Sequence, residues 1–471
     1  MMQLNFVLEA LTPYQPTGRE PVVAAFVIDS RQAEPGSLFV AFVGERADGH
    51  DYVGDAFQRG AIAALVEKPV SGDHTLVDAR QPITTAVNFD GPVCILVDNT
   101  MLALQRIAAA WRAQLSPRIV GITGSVGKTT SKEVVHAVLS QRGLTLKAEG
   151  SYNNEIGLPL TLLKLRPEHQ YAVLEMGMYA RGEIALLCEL ARPQVGVLTI
   201  VGPVHLERLG SIEAIAAAKQ ELVEALPPDP EGVAILNRDD VRVMAMAAHT
   251  QARIFTYGLD NTADLWAEDL VSMGLDGIRF TLHHGQQSLR NISVPLLGRH
   301  SVHTALRAAA VGLVEGLSWE EIITGLQGMS AQLRLVAVPG PQGSVIIDDT
   351  YNSSPESAFA ALNLLAELDG RRLAILGDML ELGSYTLEAH QLVGRRACLV
   401  ADLLVAVGVL GRLIGESALQ AGMPPAAVSF AEDAQAAIPL LEKLIAPGDM
   451  VLIKGSRGAR LDRLVAALSR D

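Results

Sequence analysis

The segment from Gly121 to Thr130 carries residue types that bind phosphate. It reads GITGSVGKTT after the apolar run RIV, which predicts a loop between a buried strand and a helix that begins near Lys128. Backbone N–H groups and a helix N-terminus can hold phosphates, the Lys128 ammonium can neutralise them, and the Thr129 hydroxyl can bind Mg²⁺. Ile122 stands where the standard GxxxxGK[ST] motif has its first glycine, so the loop fits a shorter GxxGK pattern. We predict that ATP and Mg²⁺ bind here, through Gly124, Ser125, Val126, Gly127, Lys128, Thr129 and Thr130.

Three further polar residues accompany apolar segments. Glu175 ends the run YAVLE, at the carboxyl edge where ligands gather in parallel sheets, and its carboxylate could hold Mg²⁺. His205 lies in VGPVHLERLG and Lys219 lies in the helical segment SIEAIAAAKQELVEAL. The alternatives are a capping or surface glutamate, a structural histidine and a lysine on a solvated helix face.

The alternation of strand and helix patterns predicts an α/β fold with three domains. Residues 1–98 have short β-branched runs separated by turns, which indicates a smaller N-terminal mixed α/β domain. Residues 99–329 begin with a helical segment and continue as βαβ units, which indicates a central parallel-sheet domain that carries the phosphate loop. Residues 330–471 repeat the alternation through SVIIDD, RRLAILGD, ADLLVAVG and DMVLIKG, which indicates a Rossmann-like C-terminal domain.

Composition and charge exclude several classes of protein. The chain has 471 residues, 49% of them apolar, and a formal net charge of −14, so we expect no nucleic-acid partner and no general binding to anionic membranes. No apolar run is long enough for stable membrane insertion and the start lacks a basic leader, so we expect a cytoplasmic protein. Cys94, Cys188 and Cys398 lack disulfide or zinc spacing, and we predict three buried thiols.

Seven segments, in this order, resemble the Mur ligases of peptidoglycan synthesis. The resemblance runs from Asp29 to Gly458 and rests on GITGSVGKTTSKE, SYNNEIGLPLTLL, LEMGMYARGEI, HLERLGSIEAIAAAKQEL, DDTYNSSPES, LGDMLELG and LIKGSRG. It implies an ATP-dependent ligase, in which a substrate carboxylate becomes an acyl phosphate that an amine then attacks. LGDMLELG and YNSSP favour the member that joins D-Ala-D-Ala to UDP-MurNAc-tripeptide. We also expect a monomer.

The resemblance also implies roles for individual residues. His205 would help hold a second Mg²⁺, and Lys219 would become a carbamate that binds metal. Asn153 and Asn154 would meet the substrate and phosphates, or would serve as turn residues. The nucleotide residues it implies are Asn237, Arg334 and Asp349. The residues of the uridine-diphosphate pocket would be Ser30, Arg31, Arg46 and His50, near Asp29 and Gly44, unless the Asp-Ser-Arg turn only caps local structure. The residues near the dipeptide would be Tyr351, Asn352, Ser354, Lys454, Ser456 and Arg457.

Three departures from the family pattern accompany the resemblance. The pattern GRHNxxNA is GRHSVHTA here, so Ser301 and Thr304 replace asparagines, Ser354 replaces the asparagine of YNANP, and Leu333 replaces a glycine before Arg334. Three alternatives stay open. They are a sister ligase that adds the third amino acid, a non-catalytic ligase-like binding subunit, and folylpolyglutamate synthase, which shares the ATP core but lacks a uridine-binding domain of this size.

Overall fold

A computed structural model describes residues 2–44, 47–328 and 335–469 of the chain. The elements of the first part are β1 (Met2–Gln3), α1 (Leu4–Leu11), β2 (Val22–Val23), β3 (Ala25–Val27), β4 (Ser37–Val40), α2 (Val53–Gln58), β5 (Ala63–Val66), β6 (Thr75–Asp78), β7 (Val93–Leu96) and α3 (Thr100–Ala113). Those of the middle part are β8 (Arg118–Thr123), α4 (Lys128–Leu139), β9 (Thr145–Lys147), α5 (Gly157–Leu162), β10 (Tyr171–Glu175), α6 (Glu183–Ala191), β11 (Val195–Leu198), α7 (Leu206–Leu209), α8 (Ile212–Glu224), β12 (Val233–Asn237), α9 (Val241–Ala245), β13 (Arg253–Gly258), β14 (Leu265–Ser272), β15 (Ile278–His284), β16 (Gln287–Val294), α10 (Val302–Val314) and α11 (Trp319–Gln327). Those of the last part are β17 (Val336–Pro339), β18 (Val345–Asp349), α12 (Pro355–Glu367), β19 (Arg372–Gly377), α13 (Thr386–Val400), β20 (Leu403–Val407), α14 (Gly411–Gln420), β21 (Val428–Ala431), α15 (Ala434–Leu444), β22 (Met450–Lys454) and α16 (Asp462–Leu468).

The chain forms two compact units. The first comprises the described residues up to Val120 together with Gly143–Gly177 and Glu183–Pro193, and the second comprises Gly121–Arg142, Met178–Gly182 and the described residues from Gln194 onward. The helices and parallel sheets confirm the predicted α/β class. The domain boundaries at 98 and 329 remain predictions.

The first unit contains a parallel sheet with strand order β3-β4-β5-β7-β6. Residues 38 and 40 of β4 face one buried cluster and Phe39 faces another, so the sheet is covered on both sides. This explains the continuous apolar runs, because a strand buried on both faces needs no polar alternation. The same unit holds the parallel pair β9 and β10, and β10 ends at Glu175.

In the second unit, strands β11, β12, β13 and β14 are parallel and β14 continues into the antiparallel pairs β14–β15 and β15–β16. The sequence analysis did not foresee these antiparallel strands. A further sheet has the order β17-β18-β22-β19-β20-β21, in which only β17 is antiparallel to its neighbour. Helices cover it on both faces, with Ile347 and Leu376 in one core and Ile346 and Ile375 in the other.

The cysteines and the helix lengths test two expectations. Cys94 and Cys188 are buried, as predicted, but Cys398 is only partly buried, so the prediction of three buried thiols was wrong. Cys398 lies in α13 on a partly covered side of the helix, with Sγ 3.6 Å from the carbonyl oxygen of Ala421. In the part of the chain that the structure describes, no helix combines the length and apolarity required to cross a bilayer.

Candidate active site

The phosphate loop joins β8 to α4, and α4 begins at Lys128 as predicted. Gly127 caps the helix at φ +87° and Gly124 has φ +145°, backbone conformations that favour glycine. A methyl group on Gly124 would overlap the Thr199 hydroxyl and lie 2.9 Å from Thr199 Cβ. Only a glycine therefore lets the loop lie this close to the residue that follows β11.

The loop is held by hydrogen bonds to the segment after β11. The Ser125 N–H donates to the Ile200 carbonyl (2.8 Å), and Ser125 Oγ both donates to the Gly202 carbonyl (3.0 Å) and accepts from the Gly202 N–H (2.8 Å). Lys128 Nζ donates to the Gly124 carbonyl at 2.8 Å. Thr129 and Thr130 stand in the first turn of α4, and Val126 lies in the loop. The backbone thus curves around Lys128 in the manner expected of a phosphate-binding loop.

The Thr199 hydroxyl has an unusual environment beside this loop. It is fully buried, and it has no hydrogen-bond partner among the described residues. A buried hydroxyl without a partner is costly, and such groups often face a ligand or a water molecule. This orphaned oxygen beside Gly124 fits a loop that binds a polar group.

Lys219 lies in α8 and is only 2% exposed, which excludes the alternative of a solvated helix face. Among the described residues it makes no hydrogen bond and no ion pair. Burial, and secondarily the charge of Lys128, lower the pKa of Lys219 well below its usual value. The side chain is therefore a buried amine whose protonated form is disfavoured.

His205 links two parts of the second unit. It caps α7 with the left-handed φ of +57°, and its Nδ1 lies 2.6 Å from Glu381 Oε2 in LGDMLELG. The Tyr179 ring contacts the imidazole edge-on with centroids 5.3 Å apart. Burial lowers the pKa of His205, and the Glu381 carboxylate opposes that shift. The imidazole is thereby neutral at pH 7, with Nδ1 oriented by Glu381.

Glu175 and the two asparagines lie in the first unit. Glu175 is the buried last residue of β10, and its Oε1 accepts a hydrogen bond from Asn153 Nδ2 at 2.8 Å. Asn154 Oδ1 accepts from the Gly157 N–H (2.9 Å) before α5, so this side chain has a local structural contact. Burial excludes the surface alternative for Glu175. Within the described residues, no group of three or more His, Cys, Asp or Glu side chains is arranged to hold a metal ion.

Of the implied nucleotide residues, Asn237 and Asp349 lie in the second unit, and Arg334 lies outside the described residues. Asn237 is buried at the end of β12, where Nδ2 donates to the Thr199 carbonyl at 3.0 Å. Asp349 ends β18 and its Oδ2 accepts from Lys454 Nζ at 2.7 Å. Asn237 is therefore connected to the residue that packs on the phosphate loop.

The residues implied near the dipeptide gather around the ends of β18 and β22. Lys454 is 1% exposed and also donates to the Asn352 carbonyl at 2.9 Å, so its ammonium is engaged inside the protein. Ser354 caps α12 and Ser456 Oγ accepts from the Leu380 N–H. Arg457 lies near Tyr351, with the guanidinium carbon 6.0 Å from the centre of the tyrosine ring.

The residues implied for the uridine pocket make mainly local contacts. Asp29 caps a short 3₁₀ turn that starts at Ser30, and its carboxylate pairs with the exposed Arg31 at 2.6 Å. His50 is buried, with Nδ1 2.6 Å from Asp48 and Nε2 accepting from the Glu67 N–H at 2.8 Å. Arg46 lies outside the described residues. The Asp-Ser-Arg turn thus does cap local structure, and Arg31 remains accessible.

Sequence reasoning missed three residues of this region. Thr199 and Glu381 were not singled out for contacts, and Arg307 was not mentioned at all. Arg307 is a buried arginine in α10 whose guanidinium lies beside Gly127. Its signal in the sequence is a lone charge inside the run TALRAAAVG, where an apolar helix face would be expected.

Comparisons with known proteins define the class of this chain. Residues 23–112 match the description "Mur ligase family, catalytic domain", residues 122–312 match "Mur ligase middle domain", and residues 333–457 match "Mur ligase, glutamate ligase domain". The chain belongs to the Mur ligase family, which confirms the resemblance.

Several of the similar proteins are named UDP-N-acetylmuramoyl-tripeptide--D-alanyl-D-alanine ligase or MurF. A UDP-N-acetylmuramoyl-tripeptide--D-alanyl-D-alanine ligase from Synechocystis is 38% identical, with 93% of this chain and 90% of that protein covered. MurF from Acinetobacter baumannii superimposes with a TM-score of 0.83 at 31% identity, with 98% of each chain covered. MurF ligase from Thermotoga maritima, solved in complex with ADP, gives a TM-score of 0.78 at 25% identity, with 98% of this chain and 97% of that chain covered.

Proposed function

We propose that this chain joins D-Ala-D-Ala to UDP-MurNAc-tripeptide at the expense of ATP, which gives UDP-MurNAc-pentapeptide, ADP and phosphate. The observation that carries the proposal is the phosphate loop at the start of α4, in a chain whose relatives of nearly equal length carry that ligase name. We infer that residues 99–329 bind ATP, residues 1–98 bind the uridine nucleotide and residues 330–471 bind the dipeptide.

The chemistry requires a centre of positive charge. A carboxylate reacts poorly with an amine until one oxygen becomes a phosphate leaving group, and the carboxylate and the γ-phosphate repel each other as they meet. Lys128, which follows the loop directly, is suited to neutralise the phosphates. The neutral imidazole of His205 and the hydroxyl of Thr129 add no negative charge to this region.

Mg²⁺ would be held by Thr129, Glu175, His205 and, if carbamylated, Lys219. When bound, the ion draws charge from phosphate oxygens and so makes the γ-phosphorus more electrophilic. The buried Lys219 fits this part because its lowered pKa favours the neutral amine. That amine can add to CO₂ with loss of a proton, which forms a carbamate whose oxygens suit a hard cation.

The first experiment measures phosphate release from MgATP with purified protein and UDP-MurNAc-tripeptide, with and without D-Ala-D-Ala. Mass spectrometry follows the pentapeptide. We expect release that needs both substrates. Release with the dipeptide precursor and a free amino acid instead would favour the sister ligase, and ATP binding without release would favour a non-catalytic subunit. Because ATP and uridine nucleotides are cytosolic substrates, we infer a cytoplasmic protein. That it is a monomer stays a prediction.

Lys128→Ala tests the residue at the centre of the proposal. Loss of the ammonium should abolish phosphate release while the circular dichroism spectrum and the melting temperature stay close to those of the original chain. Lys443→Ala, at an exposed lysine near the end of α15, is the matched control and should retain release. Unchanged turnover in Lys128→Ala would refute the proposed mechanism.

A further inference from the structure

Arg307 is a buried cation whose hydrogen-bond partners, as far as the structure describes the chain, are all neutral. Its Nε donates to Ser131 Oγ (2.8 Å), Nη2 donates to Thr304 Oγ1 (2.8 Å) and Nη1 donates to the Tyr257 hydroxyl (3.3 Å). Arg307 is 4% exposed, and no carboxylate within the described ranges forms an ion pair with it. Burying a charge without an opposite charge is costly, so this arrangement needs an explanation.

The neighbouring hydroxyls do not provide that explanation. Ser131 Oγ also donates to the Gly127 carbonyl at 2.6 Å, and the Tyr257 hydroxyl also donates to the Leu198 carbonyl at 2.9 Å. Both hydroxyls therefore keep a hydrogen bond without Arg307. A neutral side chain of similar size would fill the same space without the cost of a buried charge.

The position of the guanidinium points to an anion. A methyl group added to Gly127 would lie 3.1 Å from Arg307 Nη2, so the charge lies against the residue that caps α4. The N-terminus of a helix is itself partly positive, and Lys128 adds a further cation there. A buried guanidinium beside the positive end of a helix is unfavourable unless an anion is bound, and phosphate is the anion that such a loop accepts.

Thr304 adds an observation specific to this chain. It stands where the family pattern has an asparagine, and its hydroxyl is the acceptor for Arg307 Nη2. Thr304 and Arg307 are one helical turn apart on α10, so the two side chains share a face. The departure from the pattern and the buried arginine therefore form one local arrangement.

We propose that Arg307 is a positioning residue for nucleotide phosphates. Its guanidinium adds positive charge behind Gly127, and through Ser131 it fixes the carbonyl at the start of α4. The inference rests on the proposed function to the extent that ATP is the nucleotide, but it concerns binding and not ligation. It requires that the contribution of Arg307 to binding affinity increase with the number of phosphates on the ligand.

Calorimetric binding of adenosine, AMP, ADP and ATP to the full chain tests this requirement. In Arg307→Met, adenosine affinity should stay within about twofold, and ATP affinity should fall about tenfold or more, which is the worth of one charged hydrogen bond. ADP and AMP should fall between these limits. Arg112→Met is the matched control, because Arg112 is also buried and, within the described parts of the chain, its side chain donates only to the Ala191 and Leu115 carbonyls. It should weaken all four ligands equally or not at all.

A structural role for Arg307 predicts a different result. Equal weakening of adenosine and ATP, or no weakening of either, would overturn the proposal. Arg307→Gln, which can still bond to the hydroxyls, serves if the methionine variant does not fold, and it should show the same dependence on phosphate number. An original chain that binds ATP but makes no pentapeptide would refute the ligase function alone. An original chain that binds none of the four ligands would overturn both proposals.

Discussion

Gly124→Ala should damage the phosphate loop, for two separable reasons. The residue has φ +145°, and a side chain at positive φ costs about 1–3 kcal/mol. The new methyl group would also overlap the Thr199 hydroxyl and lie 3.1 Å from the Thr199 backbone nitrogen, and overpacking of this kind costs about 1–3 kcal/mol. We expect the free energy of unfolding to fall by about 2–6 kcal/mol in total. In the proposed function this loop holds the phosphates, so its displacement should lower turnover about 100-fold.

Urea unfolding and phosphate release measure the two effects. Gly422→Ala is the control, because Gly422 has φ +103° but open space around it, and so it carries the backbone cost without the overlap. Adding Thr199→Ala to Gly124→Ala should recover part of the stability, since it removes the overlapping oxygen. If Gly124→Ala matched Gly422→Ala in stability and kept full activity, the close approach of loop and strand end would be refuted.

Two other predictions follow from buried charges. Lys454→Met should lower the free energy of unfolding by about 3–5 kcal/mol because it removes the buried ammonium that pairs with Asp349, and Asp349→Asn in the same chain should restore part of that stability. An unchanged stability with a raised KM for D-Ala-D-Ala would instead place Lys454 on the dipeptide. Burial would raise the pKa of Glu20, but hydrogen bonds from Tyr14 and Thr17 outweigh it and lower that pKa from 4.5 to about 2. The lowered pKa stabilises the fold by about 3 kcal/mol above pH 4.5, and this stabilisation is lost as the pH falls towards 2. Glu20→Gln should therefore remove that amount at pH 7, and its free energy of unfolding in urea should change less between pH 4.5 and pH 2. A steep loss of stability in the variant over this pH range would contradict the prediction.

The fold was predictable where a sequence pattern is compatible with only one kind of secondary-structure element. The alternation of apolar runs such as VAILN with helical segments predicted parallel strands in the central part of the chain, and GKTT predicted where α4 begins. The antiparallel strands β14–β16 were missed although Asp276-Gly277 and Gly285 mark the turns between them, and their register contains irregularities between Glu268 and Val271 and between Phe280 and Leu282. Irregular pairing weakens the alternation on which strand prediction depends.

The candidate site was predictable only in part, for a physical reason. The types and spacing of Lys128 and Thr129 indicate phosphate chemistry by themselves, since both act from one loop. His205 contacts Glu381, which lies 176 positions further along the chain, and no local sequence pattern can indicate such a contact. The same holds for Arg307, which reaches Ser131 across 176 positions.

The chain as a whole is acidic, whereas the candidate site contains basic side chains. The formal net charge is −14, yet the second unit contains the basic residues Lys128, Lys219 and Arg307. The charge of Lys128 contributes to the lowered pKa of Lys219. Burial of the Arg307 guanidinium beside the partly positive start of α4 is unfavourable by itself, and in the proposed function a bound polyphosphate would offset that cost. On this proposal, the affinity for phosphate arises from buried charge at the loop and not from the overall charge of the chain.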